Sequence, residues 1–368
     1  MAVRILHTAD FHLDSPYASL TEEKARERRR EGRDLLMELA ALANAEKCRI
    51  VLLSGDLFDS SASYYETQET LLKMLSEIKG EVFIAPGNHD YFSSRSPYAF
   101  MELPENVHIF RSPQPRYFDI PELGVRVWGA GFTSTVCDSV LSGFRAGKSD
   151  LIELMTLHAD LTGGRYDPIT EDDIAASGLS YLALGHVHTF SGIKKAGSTY
   201  YAYPGCPEGR GFDETGEKTV NLVTLSDDGH CALETRSIAQ RRYENLTVDV
   251  TGADPLLAIH TLLPDESVRD VYRITLTGEV DERLDLNRLH ANLAELFFEL
   301  QLRDETTPRR SLWEKAGDDT LRGLFLKKLK REYDTAPDDT TRRAVEQAAR
   351  WGLAALDNRE EAVRHEDP

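Results

Sequence analysis

Five short polar clusters in this chain each close an apolar run. Asp10-Phe11-His12 follows Ile5–Ala9, and Gly55-Asp56, with Asp59 close behind, follows Ile50–Ser54. Gly87-Asn88-His89-Asp90 follows Val82–Ala85, His158 follows Leu154–Leu157, and Gly185-His186-Val187-His188 follows Tyr181–Leu184. Any one cluster is commonplace, and a lone histidine at a strand end is usually structural. Together, Asp10, His12, Asp56, Asn88, His158, His186 and His188 offer more ligands than one tetrahedral ion can use. They suit two divalent ions in mixed nitrogen and oxygen coordination, about 3.5–4 Å apart and sharing a carboxylate. Imidazole without thiolate points to manganese, with iron or zinc also compatible, rather than calcium or an all-oxygen magnesium site. Such a pair makes water a nucleophile at neutral pH and leaves a net positive trap for phosphate. His89 adjoins Asn88 but keeps its own side chain free, so it is the candidate to assist the leaving oxygen. Asp59 is the candidate to orient it.

The elements that must position these groups are legible as strands at Arg4–Ala9, Ile50–Leu53, Val82–Ala85, Val107–Phe110, Val125–Trp128, Leu154–Leu157, Tyr181–Leu184, Tyr200–Tyr203 and Val220–Leu225. Leu35, Leu36, Leu39 and Leu42 recur at helical spacing between the first two. Continuous apolar strands separated by amphipathic helices indicate an α/β domain with covered sheets. Ligands in such folds gather at the carboxyl ends of strands, where Gly87 and Gly185 allow close backbone approach. The later strands lack long helices between them, which suggests antiparallel pairing. The expected divisions are a catalytic domain over 1–240, a small α/β domain over 241–310 and a C-terminal helical hairpin over 311–368, fraying after Asn358. In the hairpin, Leu321, Leu324, Phe325 and Leu329 form the expected apolar stripe, and Asp339 or Thr340 the expected cap of the second helix.

Composition bounds the reading. A chain of 368 residues with 41% hydrophobic and 29% charged residues suits a folded globular protein, not a disordered one. No apolar run approaches a membrane span and the N-terminus does not read as a signal peptide, so a cytoplasmic protein is expected. Cys48, Cys137, Cys206 and Cys231 are scattered, as buried reduced thiols rather than a disulfide frame or zinc knuckle. The net charge of -19 excludes coating nucleic acid by bulk positive charge. A local cationic site still acts over a Debye length of about 8 Å.

D-x-H, G-D-x-x-D, G-N-H-D, a separate histidine and G-H-x-H in this order resemble the signature of calcineurin-like metallophosphoesterases. The wording around them, "ILHTADFHLDSP", "LLSGDLFD", "FIAPGNHDYF", "LGHVHTF" and "YAYPGCPEGRGFDETGEKTVNLV", is similar to bacterial DNA-repair exonucleases of the SbcD and YhaO-like type. The resemblance implies a double β-sandwich flanked by helices. It assigns Asp10, His12, Asp56 and His188 to one metal, and Asp56, Asn88, His158 and His186 to the other. His89 becomes the catalytic histidine and Asp59 its carboxylate partner. It further implies DNA as substrate, a capping role for 241–310, docking of an SMC-like coiled-coil ATPase on the C-terminal helices, and a homodimer. A metallophosphatase or cyclic-nucleotide phosphodiesterase is the enzymatic alternative, and a binding module that keeps the fold is the non-enzymatic one. His7 reads as a hydrogen-bonded core histidine, Asp90 as loop support, and Arg210 as either a phosphate contact or an ordinary loop arginine. Lys327, Lys328, Lys330 and Arg331 read as a solvent face.

Overall fold

The structure is a computed structural model that describes residues 2–60, 62–147, 149–226, 228–264, 266–308 and 312–356. The chain divides into two compact units. The first comprises Met1–Leu246, Leu263–Ile274 and His290–Gln301, and the second comprises Thr247–Leu262, Thr275–Leu289 and Leu302–Pro368.

Two sheets make the body of the first unit. One runs β12 (Cys231–Arg236), β11 (Val220–Ser226), β1 (Ala2–Thr8), β2 (Ile50–Leu53), β3 (Glu81–Ile84) and β4 (Val107–Ile109). The other runs β5 (Arg116–Ile120), β6 (Val125–Gly129), β7 (Ile152–His158), β8 (Tyr181–Gly185), β10 (Thr199–Ala202) and β9 (Lys194–Ala196). Alternate residues of β1 and β2 face opposite ways. Ile5, Ile50 and Leu52 pack toward Val127, Leu154 and Ala183 of the second sheet. Leu6, Val51 and Leu53 pack toward Leu35, Leu36 and Leu39 of helix α1 (Glu22–Ala45) and Leu71 and Met74 of helix α2 (Tyr65–Glu77). Burial on both faces is why these strands are apolar without interruption. On the outer face of the second sheet, Leu157, Leu182 and Leu184 meet Ile174 of helix α3 (Glu171–Ala176). A double β-sandwich flanked by helices results.

Antiparallel pairing, expected of the later strands, holds for β11 against β1 and β12 but fails through most of the second sheet. β6, β7, β8 and β10 run parallel, and only β5 and β9 at the edges are antiparallel to their neighbours. The crossovers over residues 130–151 and 159–180 are long enough to return the chain without a long helix. The consequence is functional: parallel β1, β2 and β3 and parallel β7 and β8 all deliver their carboxyl ends to the polar clusters. Edge strands β5, β9 and β12 carry more exposed residues and so lacked an apolar signature.

His7 is a buried core histidine, with Nδ1 2.8 Å from the Tyr181 hydroxyl and Nε2 3.2 Å from the Leu184 carbonyl. The four cysteines are free, and Cys137 alone is only partly buried.

In the second unit, helix Leu321–Asp334 is capped by Thr320, whose Oγ1 accepts from Gly323 N at 3.0 Å. Helix Asp339–Leu356 is capped by Asp338, whose carboxylate accepts from Thr341 N at 2.7 Å, one residue before the expected cap. A Cβ at Gly352 would collide with the Phe325 ring, so the helices approach closely there. The expected apolar stripe is met in part: Phe325 and Leu329 are half-buried and Leu326 beside them is fully buried, while Leu321 and Leu324 are exposed. Lys327 and Lys328 face solvent as expected. The tail after Asn358 lies outside the described residues. No helix among the described residues is long and apolar enough to cross a membrane.

Candidate metal centre

The side chains at the strand ends converge. Asp10, immediately beyond β1, is fully buried and accepts from His186 N at 3.0 Å. Its Oδ1 is 3.7 Å from His188 Nε2, and His12 Nε2 is 3.3 Å from His188 Nε2. Asp56, beyond β2, stands between two groups: Oδ2 is 3.6 Å from His12 Nε2 and 3.4 Å from His158 Nε2. On the far side, His158 Nε2 lies 3.0 Å from Asn88 Oδ1 and 3.3 Å from His186 Nδ1. The seven expected ligands therefore fall into two sets that meet at Asp56.

Backbone conformation was bent to achieve this. Asp10, His12, Asp56 and His186 all have positive φ, at 58°, 44°, 50° and 103°. A non-glycine residue there typically costs about 1–3 kcal/mol, a strain that persists only where surrounding structure enforces it. The enforcing contacts are specific. A Cβ on Gly185 would overlap the Ser54 carbonyl, and one on Gly87 would overlap the Asp56 carboxylate, so both glycines let adjacent loops touch. Asp90 ties the same loops together, accepting from Gly87 N at 2.7 Å, Leu57 N at 2.8 Å and the Tyr98 hydroxyl at 2.5 Å.

The donor set fits divalent cations. His158 Nδ1 donates to the Ser54 carbonyl at 3.0 Å, so its Nε2 presents a lone pair. That lone pair faces the Asn88 oxygen and the Asp56 carboxylate, an arrangement repulsive unless a cation lies among them. Burial pushes His12, His158 and His186 down to about 4, which keeps them neutral and ligand-competent at physiological pH. Burial, followed by the nearby Asp56 charge, pushes the Asp10 carboxyl well above its usual range. Bound divalent charge would reverse that shift.

His89 is the exposed member of the group, its ring 4.7 Å from that of His12. Its Nδ1 donates to Asp59 at 2.9 Å, but to the main-chain carbonyl rather than the carboxylate expected from the sequence. The carboxylate is engaged elsewhere, 3.2 Å from His12 Nδ1 and 3.4 Å from Arg210 Nη1. Burial, the largest single influence, would raise the Asp59 carboxyl; the contacts with His12, Ser15 and Arg210 together outweigh it and hold the group below the usual range.

Sequence reasoning passed over Glu214 and left Arg210 undecided. Glu214 accepts from His188 Nδ1 at 2.6 Å, which fixes the tautomer that turns Nε2 toward Asp10. Arg210 donates to the same carboxylate oxygen at 2.6 Å. Burial would raise the Glu214 carboxyl, but the bonds to His188 and Arg210 prevail and hold it well below the carboxylate range. The available signal was their spacing: Arg210 and Glu214 are four apart in a glycine-rich loop, where charged residues otherwise lack a structural reason. Asp160 is a further addition, its carboxylate 3.9 Å from His186 Nε2.

A family model described as calcineurin-like phosphoesterase matches residues 3–190, a span that contains all nine candidate residues. The chain is 29% identical over 335 residues to the uncharacterized metallophosphoesterase YhaO of Bacillus subtilis, covering 85% of this chain and 81% of that protein. It is 26% identical over 332 residues to the DNA double-strand break repair protein Mre11 of Saccharolobus solfataricus, covering 83% of each. It is also 26% identical over 264 residues to the SbcD component of the SbcCD nuclease of Bacillus subtilis, covering 60% of this chain and 66% of that one.

Proposed function

Because the chain belongs to the calcineurin-like phosphoesterase family, a family of metal-dependent hydrolases, we propose that it is a two-metal phosphodiesterase that cleaves DNA, as an exonuclease in break processing. One observation carries the reading: two candidate ligand sets meet at Asp56, with the exposed imidazole of His89 beside them. The similarity to Mre11 extends well past the family model, which supports a polynucleotide substrate over a small diester.

Two divalent ions, most readily manganese, supply polarisation of the phosphate and activation of water when bound. Asp10, His12, Asp56 and His188 would hold one, and Asp56, Asn88, His158 and His186 the other. The chain's own contribution is orientation and proton handling. Asp59 holds Nδ1 of His89, so Nε2 is the atom available to give a hydrogen bond or proton to the departing oxygen. Glu214 and Ser54 keep His188 and His158 in the tautomers that ligation requires. The segment 241–310 is the proposed DNA-capping domain. The helices within 311–368 are the proposed docking segment for an SMC-like coiled-coil ATPase, in a proposed homodimer.

The test is incubation with manganese and end-labelled duplex DNA, single-stranded DNA, cyclic nucleotides and a chromogenic phosphate monoester. Progressive shortening of DNA is expected; hydrolysis of only the small substrates refutes the DNA reading. His89→Ala should lose at least 100-fold in rate yet keep both ions by elemental analysis, since general acid catalysis is worth about 10²–10⁴-fold. Asp56→Ala should lose bound metal, and full occupancy in that variant contradicts the bridging role.

A further inference from the structure

Beside the loop that carries His186 and His188 lies a cavity of about 280 Å³. Its wall includes His188, Phe190, Cys206 and Lys218. Lys218 is only 7% exposed, a burial that lysine rarely accepts without a partner. The other buried cations of this region have partners. Arg28 donates to Glu208 at 2.7 Å and to Glu31 at 2.6 Å, and Arg210 donates to Glu214 at 2.6 Å. Among the described residues, the Lys218 ammonium has no ion pair and no hydrogen bond to a side chain or carbonyl; it keeps access to solvent, and the residue lines the cavity. Asp213 and Glu217 also border the cavity, but both are exposed and neither pairs with it. Thr189, Thr215 and Thr219 add hydroxyl groups, and the Phe190 ring stands 41% exposed at the wall.

An ammonium on a buried stem, paired with no carboxylate and set among hydroxyls, can take an anion, and an exposed ring alongside suits the flat face of a base. We propose that this cavity is a phosphate subsite, taking a phosphate of the substrate strand that flanks the one held at the metal centre, with Phe190 available to its base. The proposal rests on the phosphodiesterase reading and narrows it, because a substrate with one phosphorus has nothing to place there. It also supplies a local cation to a chain whose net charge is -19. Lys218 lies outside the residues 3–190 that the family model covers.

The experiment is equilibrium anisotropy of a fluorescein-labelled tetrathymidylate with the manganese-loaded full chain, in a His89→Ala background that spares the strand. Lys218→Met should weaken binding about tenfold, with its dependence on log salt shallower by about 0.7, the value for one single-strand phosphate contact. Lys218→Arg should keep that dependence. Phe190→Ala should weaken binding about fivefold or more, as loss of one stacked base does, without altering the salt slope. Melting temperature and manganese content, measured on every variant, separate a lost contact from a lost fold. Unchanged affinity and slope in Lys218→Met overturn the subsite, as does the same slope change in Phe190→Ala. Cleavage of the same strand by the chain with His89 intact is scored separately. A strand bound through Lys218 but left uncut refutes the nuclease reading alone, and a strand cut with Lys218→Met binding normally refutes the subsite alone.

Discussion

Glu214→Gln perturbs one ligand set without touching a ligand. In the parent, one Glu214 oxygen accepts from both His188 Nδ1 and Arg210 Nη2, each at 2.6 Å, and the other accepts from Arg210 N at 2.8 Å. Glutamine keeps the shape but has a single acceptor oxygen. If that oxygen stays with His188, the amide NH2 faces the Arg210 main-chain N–H, donor against donor. If the amide flips, it opposes His188 and the guanidinium instead. Either way the charge that orients His188 is gone. Loss of such an outer partner lowers metal affinity about 10–100-fold, or roughly 1.4–2.7 kcal/mol. The loss should fall on the proposed site of Asp10, His12, Asp56 and His188. The second proposed site, of Asp56, Asn88, His158 and His186, has its own supports, including the 3.0 Å bond from His158 to Ser54, and should bind as before. Dialysis against graded manganese followed by elemental analysis reads this directly. The parent should fill two sites, and the variant should fill one over the parent's range and the other only at 10–100-fold higher metal. Two sites titrating as in the parent, with an unchanged melting temperature, would refute the assignment of Glu214 as the orienting partner.

Two further outcomes follow from burial and close packing. Burial pushes His7 down to about 3, so between about pH 6.5 and 3 the unfolded chain binds a proton there that the folded chain does not, and stability must fall as pH falls through that window. Between pH 7.5 and pH 5 this amounts to about 2 kcal/mol, which His7→Asn should remove; urea midpoints at the two pH values check it, and equal acid losses in parent and variant contradict it. Gly185→Ala forces a methyl group against the Ser54 carbonyl that also accepts from His158, so it should destabilise by about 1–3 kcal/mol and lower manganese occupancy together; a variant with the parent's melting temperature and metal content would show that the loops have room to separate.

The candidate site was readable in the chain to an unusual degree because its chemistry is local. Each ligand stands at the end of an apolar run, so residue type and position relative to a strand are both present in the linear text. The sandwich itself was readable for the same reason, since strands buried on both faces carry no polar interruption. Pairing direction was not. Whether β6, β7 and β8 run parallel depends on where irregular crossovers return, and those segments have no periodic signal.

Residue types alone determined that this chain carries imidazole, carboxylate and amide groups in number enough to ligate two divalent ions, at the ends of strands in an α/β fold. Tertiary structure decided how they meet. It put Asp56 between the two sets, bent four candidate ligand residues into left-handed backbone, and gave His89 a main-chain partner because the Asp59 carboxylate was engaged by His12 and Arg210. It also set Glu214 behind His188 and left Lys218 buried beside a cavity. The physical reason is range: side-chain chemistry and strand periodicity are properties of neighbouring residues, whereas hydrogen-bond partners and unpaired charges arise between segments far apart in the chain.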